Sequence, residues 1–105
     1  MSKALGAEIY TLCAVLPRSA LPITSQLRRA ALSISANIAE GCGKASRAET
    51  IRYFEIASGS AAETEQHLEI SRELGLIDDA RCVDLLDRVM SIRTMLRSLA
   101  RRLPQ

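Results

Sequence analysis

From Cys82 to Leu103, the apolar residues Cys82, Leu85, Val89, Ile92, Leu96, Leu99 and Leu103 fall at alternating spacings of three and four. An α-helix of about six turns puts all seven on one seam, so this segment reads as a helix that must bury that seam. Val83, Leu86 and Met90 add a second stripe along its first half. One stripe can face the chain's own core, and the wider surface calls for another subunit. The helix is expected to start near Asp78 or Asp79, whose charges suit a helix N-terminus, and to end before Pro104.

The same period runs through the rest of the chain. Leu5, Ile9, Leu12 and Leu16 mark a first helix from about residue 3 to 16, stopped by Pro17 because the residue before a proline is pushed out of the helical region. Pro22 suits the first turn of a second helix, about 22 to 41, with Ile23, Leu27, Ala30, Ala31, Ile34 and Ile38 on its apolar face. A third helix is expected from 47 to 74, stopped at Gly75, with Leu76 placed for the hydrophobic contact that accompanies such caps. Its middle, "ASGSAAE", is rich in small residues that would let another helix approach closely, with a kink at Gly59 as the competing explanation.

The turn between the second and third helices, "NIAEGCGKAS", contains a glycine-lysine pair like that of a phosphate-binding loop. Such a loop needs a glycine five residues before Gly43-Lys44, a hydroxyl straight after the lysine and a strand leading in. Ile38 and Ala45 occupy those positions and the preceding residues have helical spacing, so the stretch reads as a helix end and a helix start. Gly41 and Gly43 are expected to supply left-handed backbone there. Ser46 and Glu49 form a capping-box pattern for the third helix.

A chain of 105 residues fits one domain, residues 1 to 105. Three aromatics, no Trp and abundant Ala, Leu, Arg and Glu favour an all-α class over a sandwich or barrel. Cys13, Cys42 and Cys82 are odd in number and lack C-x-x-C spacing, so they read as reduced thiols of a cytoplasmic protein. Glu8 interrupts the only stretch that resembles a signal peptide, and no uncharged apolar run approaches the ~20 residues of a membrane span.

Charge is strongly segregated. Residues 1 to 52 carry a net +4, residues 53 to 80 a net −6 and residues 81 to 105 a net +4. The acidic row Glu65, Glu69 and Glu73 is therefore expected to meet a basic surface within the bundle or on a neighbouring subunit. Arg93, Arg97 and Arg101 repeat every four residues and share one helix face. A second basic group comprises Arg28 and Arg29 with Lys44, Arg47 and Arg52 around the following turn. Both groups are candidates for RNA or DNA backbone contacts, and a solvated face is the plainer reading of each.

Enzymatic signals are poor. His67 is the single histidine, and its place four residues after Glu63 suggests a surface hydrogen bond rather than a metal site or general base. Glu-x-x-His motifs of di-iron bundles are absent, and Cys42 lacks evident partners for nucleophilic chemistry. No catalytic residue, metal, cofactor or small-molecule substrate is indicated. Asn37 is expected to bond neighbouring backbone, and Glu40 to reach an arginine or the N–H groups of the next helix.

"SQLRRAALSISANIAEG" at 25 to 41, "RYFEIASGSAAETEQHL" at 52 to 68 and "ELGLID" at 73 to 78 together resemble the bacterial four-helix-bundle proteins called 23S rRNA intervening-sequence proteins. The resemblance implies an up-down four-helix bundle that assembles as a homopentameric ring without a catalytic centre. Relatives similar to the accessory variability proteins of diversity-generating retroelements bind nucleic acid and a reverse transcriptase, which implies nucleic acid or a protein as further partners. Gln26, Arg28, Arg29, Asn37, Glu40 and Gly41 carry over from the matching segment as assembly or binding candidates. Gly59, Ser60 and Glu63, within the second matching stretch, join them as assembly or structural candidates. Ser35 stands where relatives often have a proline, and the first helix is short at its N-terminus.

Overall fold

In a computed structural model, which describes residues 1–104, the chain forms four α-helices. They are α1 (Ser2–Ala14), α2 (Leu21–Cys42), α3 (Arg47–Glu73) and α4 (Asp79–Arg102), with a 3-10 turn at Arg18–Ala20 before α2. Successive helices pack side by side, and α1 closes the bundle by lying between α2 and α4. α2 and α4 sit on a diagonal and nowhere come within 8 Å of each other, Cα to Cα.

The stops follow local chemistry. α1 ends at Ala14, two residues before its expected limit, because the Val15 and Leu16 N–H groups turn to i−3 acceptors on Leu12 and Cys13 ahead of Pro17. Asp78 caps α4, its carboxylate accepting the Arg81 N–H at 2.7 Å. At the α3 C-terminus Gly75 adopts φ +74°, with Leu76 N–H donating to Ser71 O and Gly75 N–H to Arg72 O, the paired bonds of a Schellman motif. Ser46 Oγ accepts the Glu49 N–H at 3.2 Å as expected, while the return limb joins the Glu49 carboxylate to the Ser46 hydroxyl rather than to its N–H.

The expected role of Gly41 and Gly43 is overturned. Gly75 is the glycine with positive φ among the described residues, and Gly41 is a buried residue inside the last turn of α2. A Cβ at Gly41 would lie 2.9 Å from the Phe54 ring and 3.1 Å from Tyr53 Cβ. The missing side chain therefore serves close approach of α3, not a left-handed turn. At Gly59 no helix of the same chain comes close: a Cβ there would meet nothing within 4 Å, and α3 runs through it unbroken. The small residues that face the core are Ala57 and Ala61, both fully buried, with Ala30 and Ala31 buried on α2.

The core is assembled from Leu5, Ile9, Leu27, Ile34, Leu68 and the α4 seam of Cys82, Leu85, Val89, Ile92 and Leu96. Leu99 and Leu103, which continue that seam, are only partly buried. Length explains the change. α1 has 13 residues against 27 in α3, so it spans about 20 Å where α3 spans about 40 Å. Gly6 lies against Leu32, and Glu8 reaches Arg81 and Arg88, which places α1 over one end of the bundle. The other end has three helices.

Candidate functional site

At the three-helix end, the channel that α1 leaves open between α2 and α4 forms a groove of about 420 Å³. Its apolar lining comes from all three helices: Gly41 and the Cys42 side chain of α2, Phe54 of α3, and Leu99 with Leu103 at the end of α4. Lys44 and Arg102 line it as well. Thr50 anchors the floor, its hydroxyl placed 3.0 Å from Gly41 O and 3.1 Å from Ser46 O.

The charges around this end differ from those elsewhere. Residues 36–56 and 93–104 hold seven Lys or Arg against three Glu, a net +4, and the remainder of the chain nets −2. Arg47, Arg52, Arg97, Arg101 and Arg102 have no carboxylate within ion-pair distance among the described residues. Lys44 pairs with Glu40 at 3.5 Å and lies 5.1 Å from the Tyr53 ring, which Arg52 also approaches at 5.8 Å. Glu40 thus meets a lysine of its own helix end, not the arginine or N–H groups expected of it.

The two basic groups read from the sequence are redistributed. Arg28 stacks on Tyr10 of α1 at 5.3 Å, whereas its neighbour Arg29 opens toward α3, beside Gln26 and Glu63. Adjacent helical residues point about 100° apart, and sixteen residues separate Arg28 from Lys44, roughly 24 Å along the helix. Neither joins the patch around the turn. In the α4 row, Arg93 is held by Glu65 of α3 at 2.5 Å, Arg97 borders a second groove with Glu55 and Ser58, and Arg101 is exposed. Of the acidic row on α3, Glu65 is the residue that finds its basic partner inside the bundle. Arg102, absent from the sequence-based set, is the arginine that reaches the open groove.

A separate polar seam joins α2 and α3. Ser33 and Ser60 hydroxyls meet at 2.9 Å, and Asn37 Nδ2 donates to both Ser33 O and Ser33 Oγ at 2.9 Å. Asn37 thus bonds its own helix backbone one turn back. Gln26, Arg29, Ser33, Ser60 and Glu63 border a cleft of about 280 Å³. His67 lies two turns beyond Ser60 on this flank of α3. Its two ring nitrogens are shut from solvent without hydrogen-bond partners, and the closest Glu63 oxygen is 3.8 Å away. The surface hydrogen bond expected between them is not formed, because that separation is too long for one.

Among the described residues no three His, Cys, Asp or Glu side chains converge as a metal-binding group, and no helix is long and apolar enough to cross a membrane. Burial pushes the thiols of Cys13 and Cys82 above the ordinary cysteine value, and Cys42 is exposed at the groove.

The described architecture and sequence lead to a family. Residues 1–98 match the family described as the 23S rRNA-intervening sequence protein. The chain belongs to that family. A crystal structure of a protein with unknown function from the S23 ribosomal protein family of Bacteroides thetaiotaomicron VPI-5482 superposes with a TM-score of 0.89 at 27% identity, covering 95% of this chain and 91% of that one. No curated protein matches the chain. Family membership agrees with the helical bundle.

Proposed function

We propose that this member of the 23S rRNA-intervening sequence family is a non-enzymatic binding scaffold that works as an oligomer, the homopentameric ring being the form its resemblance implies. The observation that carries this reading is the open channel between α2 and α4. A four-helix bundle that completes itself covers the seam of its last helix along the whole length. Here Leu99 and Leu103 are left beside Phe54 and Cys42 in a groove shaped by three helices. Val83, 48% exposed, and Met90, 59% exposed, put further apolar surface on the outer side of α4. Covering such surface is what association supplies.

Sedimentation velocity over a concentration series tests the proposal. The expected result is a species several times heavier than the 11.5 kDa chain, growing in proportion as concentration rises. A single 11.5 kDa species throughout would contradict it.

A second reading has its own observation: Arg47, Arg52, Arg97, Arg101 and Arg102 lack carboxylate partners among the described residues and gather toward one end. Such cations can hold a nucleic-acid backbone, with affinity that falls steeply as salt rises. Titration of a fluorescent RNA at two salt concentrations tests this, and equal affinity at both would count against it.

A further inference from the structure

We propose that the open groove receives the outer face of the first half of α4 from a second copy of the chain, an arrangement that rests on the oligomeric reading above. Asp79, Val83, Asp87 and Met90 follow one another at spacings of four, four and three, so they form one stripe along that face. All four are exposed. The stripe combines two apolar side chains with two carboxylates that have no ion-pair partner among the described residues. The basic residues of the same helix half do not interrupt it, because Arg81 and Arg88 are turned to the opposite side, where they meet Glu8 of α1.

The groove is its complement in chemistry. Phe54, Leu99 and Leu103 offer apolar lining, and Arg102 adds a positive charge without an ion-pair partner among the described residues, beside Lys44, which Glu40 holds. Twelve residues from Asp79 to Met90 span about 18 Å, and α2 and α4 outrun α1 by roughly 13–17 Å. A chain cannot fill its own groove in this way. Stripe and groove are centred about 25 Å apart along α4, and Leu99 faces away from the side that carries Val83 and Met90. Each copy therefore gives its stripe to one neighbour and its groove to the next. This is a heterologous, head-to-tail contact, which closes into a ring when the rotation between copies allows.

Charge reversal tests the contact, since among the described residues neither Asp87 nor Arg102 is engaged in an ion pair. Light scattering over a dilution series is run on the wild type, Asp87→Lys, Arg102→Glu and the chain carrying both changes, with helical content checked by circular dichroism. Each single reversal places like charges across the contact and is expected to raise the concentration needed for assembly roughly tenfold. The double variant pairs Lys with Glu and is expected to recover to within roughly threefold of the wild type. If the wild type assembles and both single variants assemble equally well, the groove is not the interface, and the oligomeric reading survives without this contact. A wild type that stays at 11.5 kDa overturns both readings and leaves the groove to a helix of another protein. Single variants that dissociate with no recovery in the double variant also overturn the assigned pairing.

Discussion

The two ends of the bundle use the same α4 seam in different ways. At the end covered by α1, Leu5, Ile9 and Cys13 pack into the core beside Cys82, Leu85 and Val89, and all six are buried. Glu8 of α1 reaches both Arg81 and Arg88 of α4. At the other end no helix occupies the place of α1, Leu99 and Leu103 are partly uncovered, and Arg97, Arg101 and Arg102 are unpaired among the described residues. One short helix thus buries the apolar seam at the first end and pairs Glu8 with Arg81 and Arg88. Its absence leaves the seam partly uncovered at the second.

The sharpest way to break this comparison is to empty a core position on each side. Ile9→Ala removes a fully buried side chain and is expected to cost about 2–5 kcal/mol in denaturant unfolding. Leu103→Ala, at the open end, should cost clearly less in the dissociated chain. Equal losses would show that the open end is packed as tightly as the closed one.

The next effect concerns the approach of α2 to α3 beneath the groove. Gly41→Ala drives a Cβ to 2.9 Å from the Phe54 ring and is expected to destabilise by about 1–3 kcal/mol, read from the urea midpoint. Gly59→Ala meets open space in the interior of α3 and should stabilise by about 0.5–1 kcal/mol. The opposite signs are the test; a destabilising Gly59→Ala would contradict the exposed position assigned to it.

Smallest is the contribution of Glu8. Glu8→Gln gives up the ion pairs to Arg88 and Arg81, but at 38% side-chain exposure the pairs are well solvated and the loss should stay below about 1 kcal/mol. Raising the salt concentration should narrow the difference between Glu8→Gln and wild type. A gap that does not narrow would mean that Glu8 stabilises by packing rather than by charge.

Much of this architecture was legible in the chain because it depends on local rules. The Cys82 to Leu96 spacing, the Ser46 and Asp78 caps and the Gly75 stop all act within a few residues, and each helix lies close to its expected bounds. The groove was not legible, since it arises from the length of α1 relative to α2, α3 and α4. Relative rotation also hid the site residues. Arg28 and Arg29 look like one charged pair in sequence, but Tyr10 takes the first and the α2–α3 cleft the second. Arg93 belongs to a four-residue row in sequence, but Glu65, 28 residues away, holds it. Arg102 fell outside the four-residue repeat that drew attention to Arg101, although it is the arginine placed at the groove. The shortness of the first helix was the available signal for that site, once set beside the position of Leu99 and Leu103.

Cys42 offers the most direct test that the open end is where copies meet, because it lines the groove and is exposed while Cys13 and Cys82 are buried. The measurement is the molar mass by light scattering before and after a bulky maleimide is attached to Cys42. The unmodified protein is predicted to be an oligomer and the adduct to fall to the mass of one labelled chain. An adduct that retains the full oligomeric mass would contradict the account.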